Sequence, residues 1–203
     1  MEDNIPFRFE ELADEDITLI KEHFLAKSTC MDLIRVINNE TNKCLSVVNR
    51  SFKKHQHLVT NMKIREDKVW IVTYPKCGTT WTQEIAWNIV NGLQVEKIDD
   101  ELYGRSPFID IPMMRNYSVE EAEEYFENLE SLPSPRTLKT HYPFELLPKN
   151  LLDTCKVLFV CRNIKDAFFT RKAFYSMEDI LRCLTLHGKE GNIQTCSSYG
   201  SRI

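Results

Sequence analysis

The chain has 203 residues, of which 42% are hydrophobic and 28% are charged, with six glycines and eight prolines. These values are those of a globular domain, and they exclude a disordered, collagenous or coiled-coil protein. The net charge of −4 gives no global basic field that would attract nucleic acid or an anionic membrane, so an anionic ligand would need a local cationic pocket.

The N-terminus and the cysteines predict a cytoplasmic protein. Residues 1–16 are acidic and contain no apolar signal-peptide core, and the chain lacks a run of about 18 apolar residues that could span a bilayer. The seven cysteines are odd in number and form no C-x-x-C pair, which is typical of reduced thiols. His55 and His57 lack a third ligand at a suitable spacing, so a solvated loop is predicted there and no metal.

A helix and then a strand–loop–helix unit are the first predicted elements. Asp14 is a candidate N-cap for a helix that ends near Leu25. Residues 69–73 are a continuous apolar run that is too short for a helix, so they predict a strand. A tight loop follows, and a second helix is predicted from Thr79 to the stop signal at Gly92. The apolar residues of this second helix recur every four positions, at Trp81, Ile85 and Ile89.

The middle of the chain predicts a loop and one acidic helix. Residues 99–117 are rich in turn formers and are predicted to be a loop. Ser118 and Glu121 form a capping box for a helix that runs to about Leu129. The apolar face of that helix comprises Val119, Ala122, Phe126 and Leu129, and its acidic residues are predicted to be solvated.

Two more strands are predicted in the second half of the chain. They cover residues 136–141 and 157–161, and Asn163 is a candidate N-cap for a helix after the second of them. Strands that alternate with helices predict an α/β fold with a central parallel sheet covered on both faces.

The loop between the first of these strands and its helix, K-C-G-T-T-W over residues 76–81, has the features of a phosphate site. A helix N-terminus presents backbone N–H groups and the positive end of the helix dipole. Gly78 allows close approach of the backbone, Lys76 adds a charge, and Thr79 and Thr80 add hydroxyl donors. Because the lysine precedes the glycine, the loop differs from the GxxxxGK[ST] loop of NTPases, which favours a phosphate cradle without a magnesium–triphosphate site. An ordinary strand-to-helix turn is the alternative.

The next predicted strand contributes Lys139 and His141, which project from one face because they lie two positions apart. An imidazole can take a proton from a hydroxyl while a lysine neutralises developing charge, and the cation keeps the imidazole neutral. Taken alone, the K-T-H tripeptide is a weak signal, and a histidine on a surface loop is the favoured explanation.

The third strand leads into Arg162, whose planar fork suits a second phosphate, and Thr170 lies two helical turns further on roughly the same side. A surface Arg–Asp pair is the plainer explanation of this segment. All three features follow the carboxyl ends of predicted strands, where open α/β sheets bind ligands. Together they predict a nucleotide with phosphates at two positions.

Three segments in this order, YPKCGTTW, KTHYP and VLFVCRNIKDAFFT, resemble the motifs of the cytosolic sulfotransferases over about residues 45–175. The resemblance implies a P-loop-like, three-layer α/β fold. It also implies transfer of a sulfuryl group from 3′-phosphoadenosine 5′-phosphosulfate (PAPS) as co-substrate. The acceptor would be a hydroxyl or amine of a small lipophilic molecule, and no metal would be needed.

The same resemblance implies catalytic roles for three residues. His141 would be the general base, Lys76 would stabilise the leaving oxygen, and Lys139 would position the sulfuryl group. The segment at residues 106–108 resembles part of the acceptor pocket wall.

Donor binding is the other implied role. Residues 76–81 (Lys76, Cys77, Gly78, Thr79, Thr80 and Trp81) would bind the 5′ side of the donor, and Arg162 and Thr170 its 3′-phosphate. Cys77 and Thr170 stand where the family more often has serine, which a backbone-lined loop and a retained hydroxyl should tolerate.

The resemblance fades before the chain ends. Residues 1–175 are predicted to be the N-terminal portion of a sulfotransferase domain, and residues 176–203 a divergent, poorly ordered tail. The late R-K-G-x-x-G-D-W-K segment and the K-x-T-V-x-x-x-E dimerisation motif of the family do not occur in this sequence. We therefore predict a truncated or alternatively spliced member without the family-type homodimer.

The sequence leaves two alternatives to a sulfotransferase. A catalytically inactive, truncated binding protein of the same fold would keep part of the donor site and expose apolar surface. A phosphotransferase of the P-loop class is disfavoured because GxxxxGK[ST] does not occur in the sequence.

Overall fold

The structure is a computed structural model that describes residues 5–18, 32–93, 102–163 and 166–167. The chain divides into two compact units, one formed by residues 1–50 and 163–203 and the other by residues 51–162. Among the described residues, no helix has both the length and the apolar character needed to cross a membrane. The predicted tail at residues 176–203 lies outside the described residues.

The first unit contains an antiparallel sheet that was not predicted from the sequence. Its strands are β1 (Phe7–Glu10), β2 (Leu33–Asn38) and β3 (Cys44–Asn49), in the order β1-β2-β3. The Asn38 carboxamide oxygen accepts two backbone N–H groups of the β2–β3 turn, at 2.9 and 2.8 Å. Asn42 adopts a positive φ of 55° in the same turn, a conformation that asparagine tolerates better than most residues.

The described part of the predicted N-terminal helix covers residues 14–18. The Ile17 N–H donates to the Ala13 carbonyl at 3.0 Å, so Ala13 occupies the N-cap position and Asp14 is the first helical residue. The prediction of Asp14 as the cap is therefore wrong by one residue. The predicted end near Leu25 lies outside the described residues.

The second unit is built on a parallel sheet of β4 (Lys68–Thr73), β5 (Arg136–Thr140) and β6 (Lys156–Val160), in the order β5-β4-β6. All six residues of β4 are buried, as its continuous apolar run requires of a central strand. This confirms the predicted α/β class with a central parallel sheet. On β6, Leu158 and Phe159 are 40% and 38% exposed.

Six helices and one 3₁₀ turn accompany this sheet within the described part of the unit. In chain order they are α1 (Ser51–Thr60), α2 (Thr79–Val90), α3 (Leu102–Arg105), α4 (Ile111–Met114), α5 (Val119–Ser131), the 3₁₀ turn (Phe144–Leu146) and α6 (Leu151–Thr154). α3 and α4 correct the prediction of a loop over residues 99–117. Short turns of this length carry too little periodicity to be recognised from sequence.

The capping box of α5 is confirmed in both of its hydrogen bonds. The Glu121 N–H donates to Ser118 Oγ at 3.2 Å, and the Ser118 N–H donates to Glu121 Oε2 at 2.7 Å. The predicted apolar face is buried at Ala122, Phe126 and Leu129, whereas Val119 in the first turn is 40% exposed.

The apolar stripe of α2 faces outward in the structure. Trp81, Ile85 and Ile89 are 76%, 55% and 69% exposed. The buried positions are instead Thr79, Gln83, Ala86 and Trp87. Two of these are polar but satisfied, because Gln83 Nε2 donates to the Ser106 carbonyl and Thr79 Oγ1 bonds Thr73 Oγ1. Hydrophobic periodicity therefore identified the helix but not its inward face.

His55 and His57 lie on α1, so the predicted solvated loop is wrong. His55 is fully buried, and its Nε2 donates to the Tyr117 carbonyl at 3.1 Å. The described residues hold no group of three or more His, Cys, Asp or Glu side chains arranged to bind a metal ion.

Candidate functional site

The candidate site lies at the carboxyl edge of the parallel sheet. Because β4, β5 and β6 are parallel, their last residues Thr73, Thr140 and Val160 lie at the same edge. The loop of Lys76 follows β4, His141 follows β5 directly, and Arg162 follows β6 by two residues. The topology therefore brings the three predicted features to one side of the sheet, where open α/β folds bind ligands.

The loop between β4 and α2 has an unusual backbone conformation. Lys76 and Gly78 have φ angles of 67° and 100°, which favour glycine, and Gly78 is the N-cap of α2. A Cβ at Gly78 would meet nothing within 4 Å, so the positive φ rather than lack of space accounts for glycine there. No side chain caps α2 at Gly78. The first N–H groups of this helix therefore suit an anion.

The side chains of this loop differ in exposure. Lys76, Thr80 and Trp81 are exposed, whereas Cys77 and Thr79 are buried. The Thr79 hydroxyl lies 2.7 Å from that of Thr73, inside the unit. The hydroxyl predicted to bind a phosphate at position 79 is thus bonded within the fold, while the one at position 80 lies at the surface.

His141 has one ring nitrogen fixed by the backbone of β4. Its Nδ1 lies 2.8 Å from the Thr73 carbonyl oxygen and 3.1 Å from Thr73 Oγ1. A carbonyl oxygen only accepts, so Nδ1 carries the hydrogen and Nε2 carries the lone pair. The imidazole is held in the tautomer that a general base acting through Nε2 needs.

Thr73 joins this histidine to the start of α2. With the ring hydrogen on Nδ1 directed at Thr73, the Thr73 hydroxyl is available to donate to Thr79 Oγ1 at 2.7 Å. The end of β4, the first residue of α2 and the residue after β5 thus share one buried hydrogen-bond network.

Lys139 and His141 both contact Phe108. Lys139 Nζ lies 4.1 Å from the Phe108 ring centroid, and the Phe108 and His141 rings are 5.1 Å apart at 73°. Burial lowers the pKa of Lys139, and the negative charge of Asp110 opposes that shift. The lysine and the histidine therefore share Phe108 as an aromatic neighbour.

Comparison with known proteins assigns the family. Residues 66–192 match the family model described as a sulfotransferase domain, which is more than half of the chain. The chain belongs to the sulfotransferase family. This confirms the family named from the three motifs, and the match continues into the predicted tail.

Two curated sulfotransferases illustrate the relationship. Sulfotransferase 1 family member D1 of Mus musculus is 39% identical over 134 residues, which cover 64% of this chain and 43% of that protein. Sulfotransferase 1A1 of Rattus norvegicus is 41% identical over 113 residues, covering 55% of this chain and 37% of that protein. The chain thus spans less than half the length of these relatives.

A solved structure supports the same fold. A retinol dehydratase in complex with retinol and PAP superposes with a TM-score of 0.74 at 24% identity, covering 90% of this chain and 62% of that protein. At this identity the likeness concerns the fold, and it confirms the P-loop-like α/β class expected of a sulfotransferase.

The second predicted phosphate site of this member of the sulfotransferase family is only partly described. Arg162 is exposed after β6. The Asn163 carbonyl accepts from the Ala167 N–H at 3.0 Å, which is the bond expected of an N-cap residue. Thr170 lies outside the described residues, so its role stays a prediction.

Two residues of the candidate sulfotransferase site were missed in the sequence. Thr73 ends an apolar strand and gave no signal of its own. Asp110 was hidden in a segment assigned to a loop, although it is the only carboxylate in the run P-F-I-D-I-P-M-M. An isolated acidic residue among apolar ones is a signal that a buried, hydrogen-bonded carboxylate is present.

Proposed function

We propose that the chain is a PAPS-dependent sulfotransferase that modifies a hydroxyl or amine of a small lipophilic acceptor. The observation that carries the proposal is the hydrogen bond from His141 Nδ1 to the Thr73 carbonyl at 2.8 Å. This bond leaves the lone pair on Nε2, where it can accept a proton, close to the uncapped N-terminus of α2 and the loop that contains Lys76. Membership of the sulfotransferase family supports the reaction class. The PAP in the retinol dehydratase complex supports the donor class.

The residues at the sheet edge fit an anionic donor. The start of α2 has no side-chain cap, and Lys76 lies in the loop that leads to it, so this loop can bind the 5′ side of the nucleotide. The guanidinium of Arg162 suits the 3′-phosphate. PAPS supplies a sulfuryl group joined to a phosphate that departs as an anion, and positive charge with backbone N–H groups stabilises that departure.

The chain's residues have separate roles in the transfer. His141 Nε2 takes the proton of the acceptor as the acceptor oxygen or nitrogen forms its bond to sulfur. The bond from sulfur to the bridging phosphate oxygen breaks, which leaves 3′-phosphoadenosine 5′-phosphate (PAP). Lys76 stabilises the charge on that leaving oxygen, and Lys139 holds the sulfuryl oxygens. This sequence balances without a metal or a redox partner.

The acceptor side of the site is aromatic. The Phe108 ring borders both Lys139 and His141, and Lys139 Nζ also lies 6.0 Å from the Tyr103 ring centroid. Tyr103 is 59% exposed and Phe108 is buried, so an aromatic surface leads toward the base. An apolar surface with a few polar groups suits a small lipophilic acceptor.

Binding and turnover test the proposal separately. We expect calorimetric titration of PAP into the purified chain to give micromolar binding that weakens in Arg162→Ala. We expect turnover of radiolabelled PAPS with a panel of simple phenols, alkyl alcohols and arylamines to fall by about 10²–10⁴-fold in His141→Ala. His57→Ala is the matched control, because this histidine lies on α1 and not at the sheet edge.

The outcomes distinguish the alternatives. Micromolar PAP binding without turnover of any acceptor would identify a catalytically inactive binding protein of the same fold. Absence of PAP binding would overturn the proposed function for this chain.

A further inference from the structure

Asp110 is a buried carboxylate that acts on the end of β5. Its Oδ1 accepts a hydrogen bond from the Thr140 hydroxyl at 2.7 Å, and its Oδ2 accepts from the His141 backbone N–H at 3.0 Å. The residue is only 4% exposed, so water competes little for either bond. Both carboxylate oxygens therefore hold the two residues at the carboxyl end of the strand.

The backbone register explains how a residue some thirty positions earlier reaches this place. Phe108 forms a parallel bridge with Lys139, in which the Ile109 N–H donates to the Lys139 carbonyl and the Lys139 N–H to the Pro107 carbonyl, both at 2.9 Å. Advancing two residues on each side places Asp110 opposite His141. The segment before α4 thus runs beside β5 as a short extra strand.

Neighbouring side chains fix this segment. The Tyr125 hydroxyl donates to the Phe108 carbonyl at 2.7 Å, and Gln83 Nε2 donates to the Ser106 carbonyl at 3.0 Å. These bonds come from α5 and α2. Asp110 is therefore presented to β5 by a backbone that two helices hold in place.

The Asp110 side chain does not cap the helix that it precedes, α4. Asp110 is the N-cap residue of α4, a position where an aspartate side chain usually accepts from the first backbone N–H groups. Here the side chain makes no cap hydrogen bond. Its oxygens bond Thr140 and His141 instead, so the local helix does not explain the carboxylate.

A second bond gives the Thr140 hydroxyl a defined direction. The Tyr142 N–H donates to Thr140 Oγ1 at 3.0 Å, which directs the hydroxyl proton toward Asp110 Oδ1. The chain from Tyr142 through Thr140 to Asp110 spans the residues on both sides of His141. It therefore fixes the backbone that carries the imidazole.

Among the described residues, Lys139 is the cation whose charge lowers the pKa of Asp110. The negative charge of Asp110 in turn contributes to raising the pKa of Tyr125 and of Tyr142. Burying an ionised carboxylate costs more free energy than burying a neutral polar side chain. An asparagine amide would therefore support the backbone with a smaller loss of stability, if support were the whole role of this residue.

We propose that Asp110 is a positioning residue for His141, holding the Thr140–His141 backbone so that Nδ1 meets the Thr73 carbonyl and Nε2 faces the acceptor. This inference rests on the proposed sulfotransferase function for its kinetic consequence. Its structural consequence, a fixed tautomer of His141, can be measured without PAPS.

The first test compares Thr140→Val with Thr140→Ser, which remove or keep the hydroxyl bound to Asp110. We expect kcat to fall by about tenfold in Thr140→Val with KM for PAPS changed by less than about twofold, and serine to restore most of that loss. Asp110→Asn, which can still accept from His141, should lose less than Asp110→Ala. Losses in the Asp110→Asn, Thr140→Val double variant should be less than multiplicative, because one interaction is removed twice.

The second test observes the imidazole itself. Long-range proton–nitrogen NMR spectra of the ¹⁵N-labelled chain report the tautomer of each of its five histidines. His141 is assigned from the signal lost in His141→Gln, and buried His55 serves as the internal control for folding. We expect an Nδ1–H tautomer at His141 in the wild type and a mixture of tautomers in Asp110→Ala and Thr140→Val, with His55 unchanged.

The results separate this inference from the proposed function. A wild-type tautomer of His141 in both Asp110→Ala and Thr140→Val, with His55 signals intact, would overturn the positioning role. If the wild-type chain turns over no acceptor, the proposed function fails, and the NMR result still decides the role of Asp110. Loss of the His55 signals in Asp110→Ala would mean that this variant does not fold. The comparison of Thr140→Val with Thr140→Ser, in which Asp110 is unchanged, would then decide whether Asp110 positions His141.

Discussion

Thr73 and His141 are separated by 68 residues in sequence, yet His141 Nδ1 donates to the Thr73 carbonyl oxygen at 2.8 Å. The parallel register explains this contact, because Val72 pairs with Thr140 and the next residue of each strand is therefore adjacent. The hydrogen-bond acceptor is the backbone carbonyl oxygen of Thr73, so the histidine tautomer does not depend on the side chain at position 73. The hydroxyl of Thr73 has a different task, which is to join His141 to Thr79.

Thr73→Val separates these two tasks. It keeps the β-branched shape and the carbonyl but leaves the buried Thr79 hydroxyl without its partner, so we expect a loss of about 1–2 kcal/mol in the free energy of unfolding. Turnover should fall by less than about tenfold, because Nδ1 still has the carbonyl. Urea denaturation and initial rates measure the two effects.

Thr137→Val is the matched control for that substitution. Thr137 is a buried threonine on β5 whose hydroxyl donates to the Arg105 carbonyl at 3.3 Å, away from His141. It should lose stability without a change in kcat. A hundredfold loss of turnover in Thr73→Val would mean that the side chain, rather than the carbonyl, sets the tautomer.

The backbone conformation of Lys76 predicts a difference in stability between two variants that lose the same ammonium group. Because φ at this position is 67°, the free energy of unfolding of Lys76→Gly should exceed that of Lys76→Ala by about 1 kcal/mol. Both Lys76→Gly and Lys76→Ala remove the ammonium, so turnover should fall by about 10²-fold or more in each. Denaturation midpoints and rates for the two variants test this.

Asn116 provides the control for the Lys76 pair, because its φ is 52° and it follows α4. Asn116→Gly and Asn116→Ala should show the same difference in stability with no effect on turnover. Equal stability of Lys76→Gly and Lys76→Ala would show that the loop relaxes and that no strain is held at position 76.

The parts of the fold that the sequence revealed are those with a strong local signal. The run at residues 69–73 predicted β4 because only a central parallel strand buries so many consecutive apolar side chains. Ser118 and Glu121 predicted the start of α5 because both hydrogen bonds of a capping box are local in sequence. Such signals need no knowledge of distant partners.

The missed features depend on distant partners. The position of Asp110 beside His141 follows from the bridge between Phe108 and Lys139, which no local pattern encodes. The inward face of α2 also depends on a distant partner, since the buried Gln83 donates its side-chain amide to the Ser106 carbonyl. The site was predicted through its motifs, while its hydrogen-bond network required the fold.

The two tryptophans of α2 offer a test of which face of the helix is functional. Trp81 is 76% exposed in the predicted donor loop, and Trp87 is 7% exposed, with the Arg105 guanidinium 4.8 Å from its ring centroid. Trp81→Ala should change the free energy of unfolding by less than about 0.5 kcal/mol but weaken PAP binding. Trp87→Ala should cost about 3–5 kcal/mol.

Urea denaturation and calorimetry distinguish the two tryptophan variants. A large loss of stability in Trp81→Ala would show that its ring packs within the fold. Unchanged PAP affinity in that variant would remove Trp81 from the donor site.

Glu84 and Arg105 join α2 to α3 through two parallel hydrogen bonds of 2.9 and 2.8 Å. The Arg105 hydrogen bond lowers the pKa of Glu84, so the stabilisation is present at neutral pH and is lost as the pH falls through the lowered pKa. Glu84→Gln should cost about 0.5–1.5 kcal/mol at pH 7, because Glu84 is partly exposed. Denaturation should show this difference shrinking toward about pH 3.

The control for Glu84 is Glu127→Gln, an exposed carboxylate on α5. It should change the unfolding free energy little at either pH. A deficit in Glu84→Gln that stays constant down to about pH 3 would contradict the ion pair as its source.

Asp110 should make stability fall as the pH rises, which is the opposite of Glu84. Burial raises the pKa of Asp110 to about 7, whereas an unfolded aspartate has a pKa of about 3.9. Between these two pH values the folded chain binds more protons than the unfolded chain. The free energy of unfolding therefore falls as the pH rises, by up to about 1.4 kcal/mol per pH unit. Asp110→Asn has no such group, so its stability relative to wild type should rise from pH 5 to 7 and then level off.

The control is Asp67→Asn, because the hydrogen bond from Arg65 lowers the pKa of the Asp67 carboxylate instead of raising it. The stability of Asp67→Asn relative to wild type should show no such rise. Parallel pH curves for Asp110→Asn and wild type in urea denaturation would refute the raised pKa.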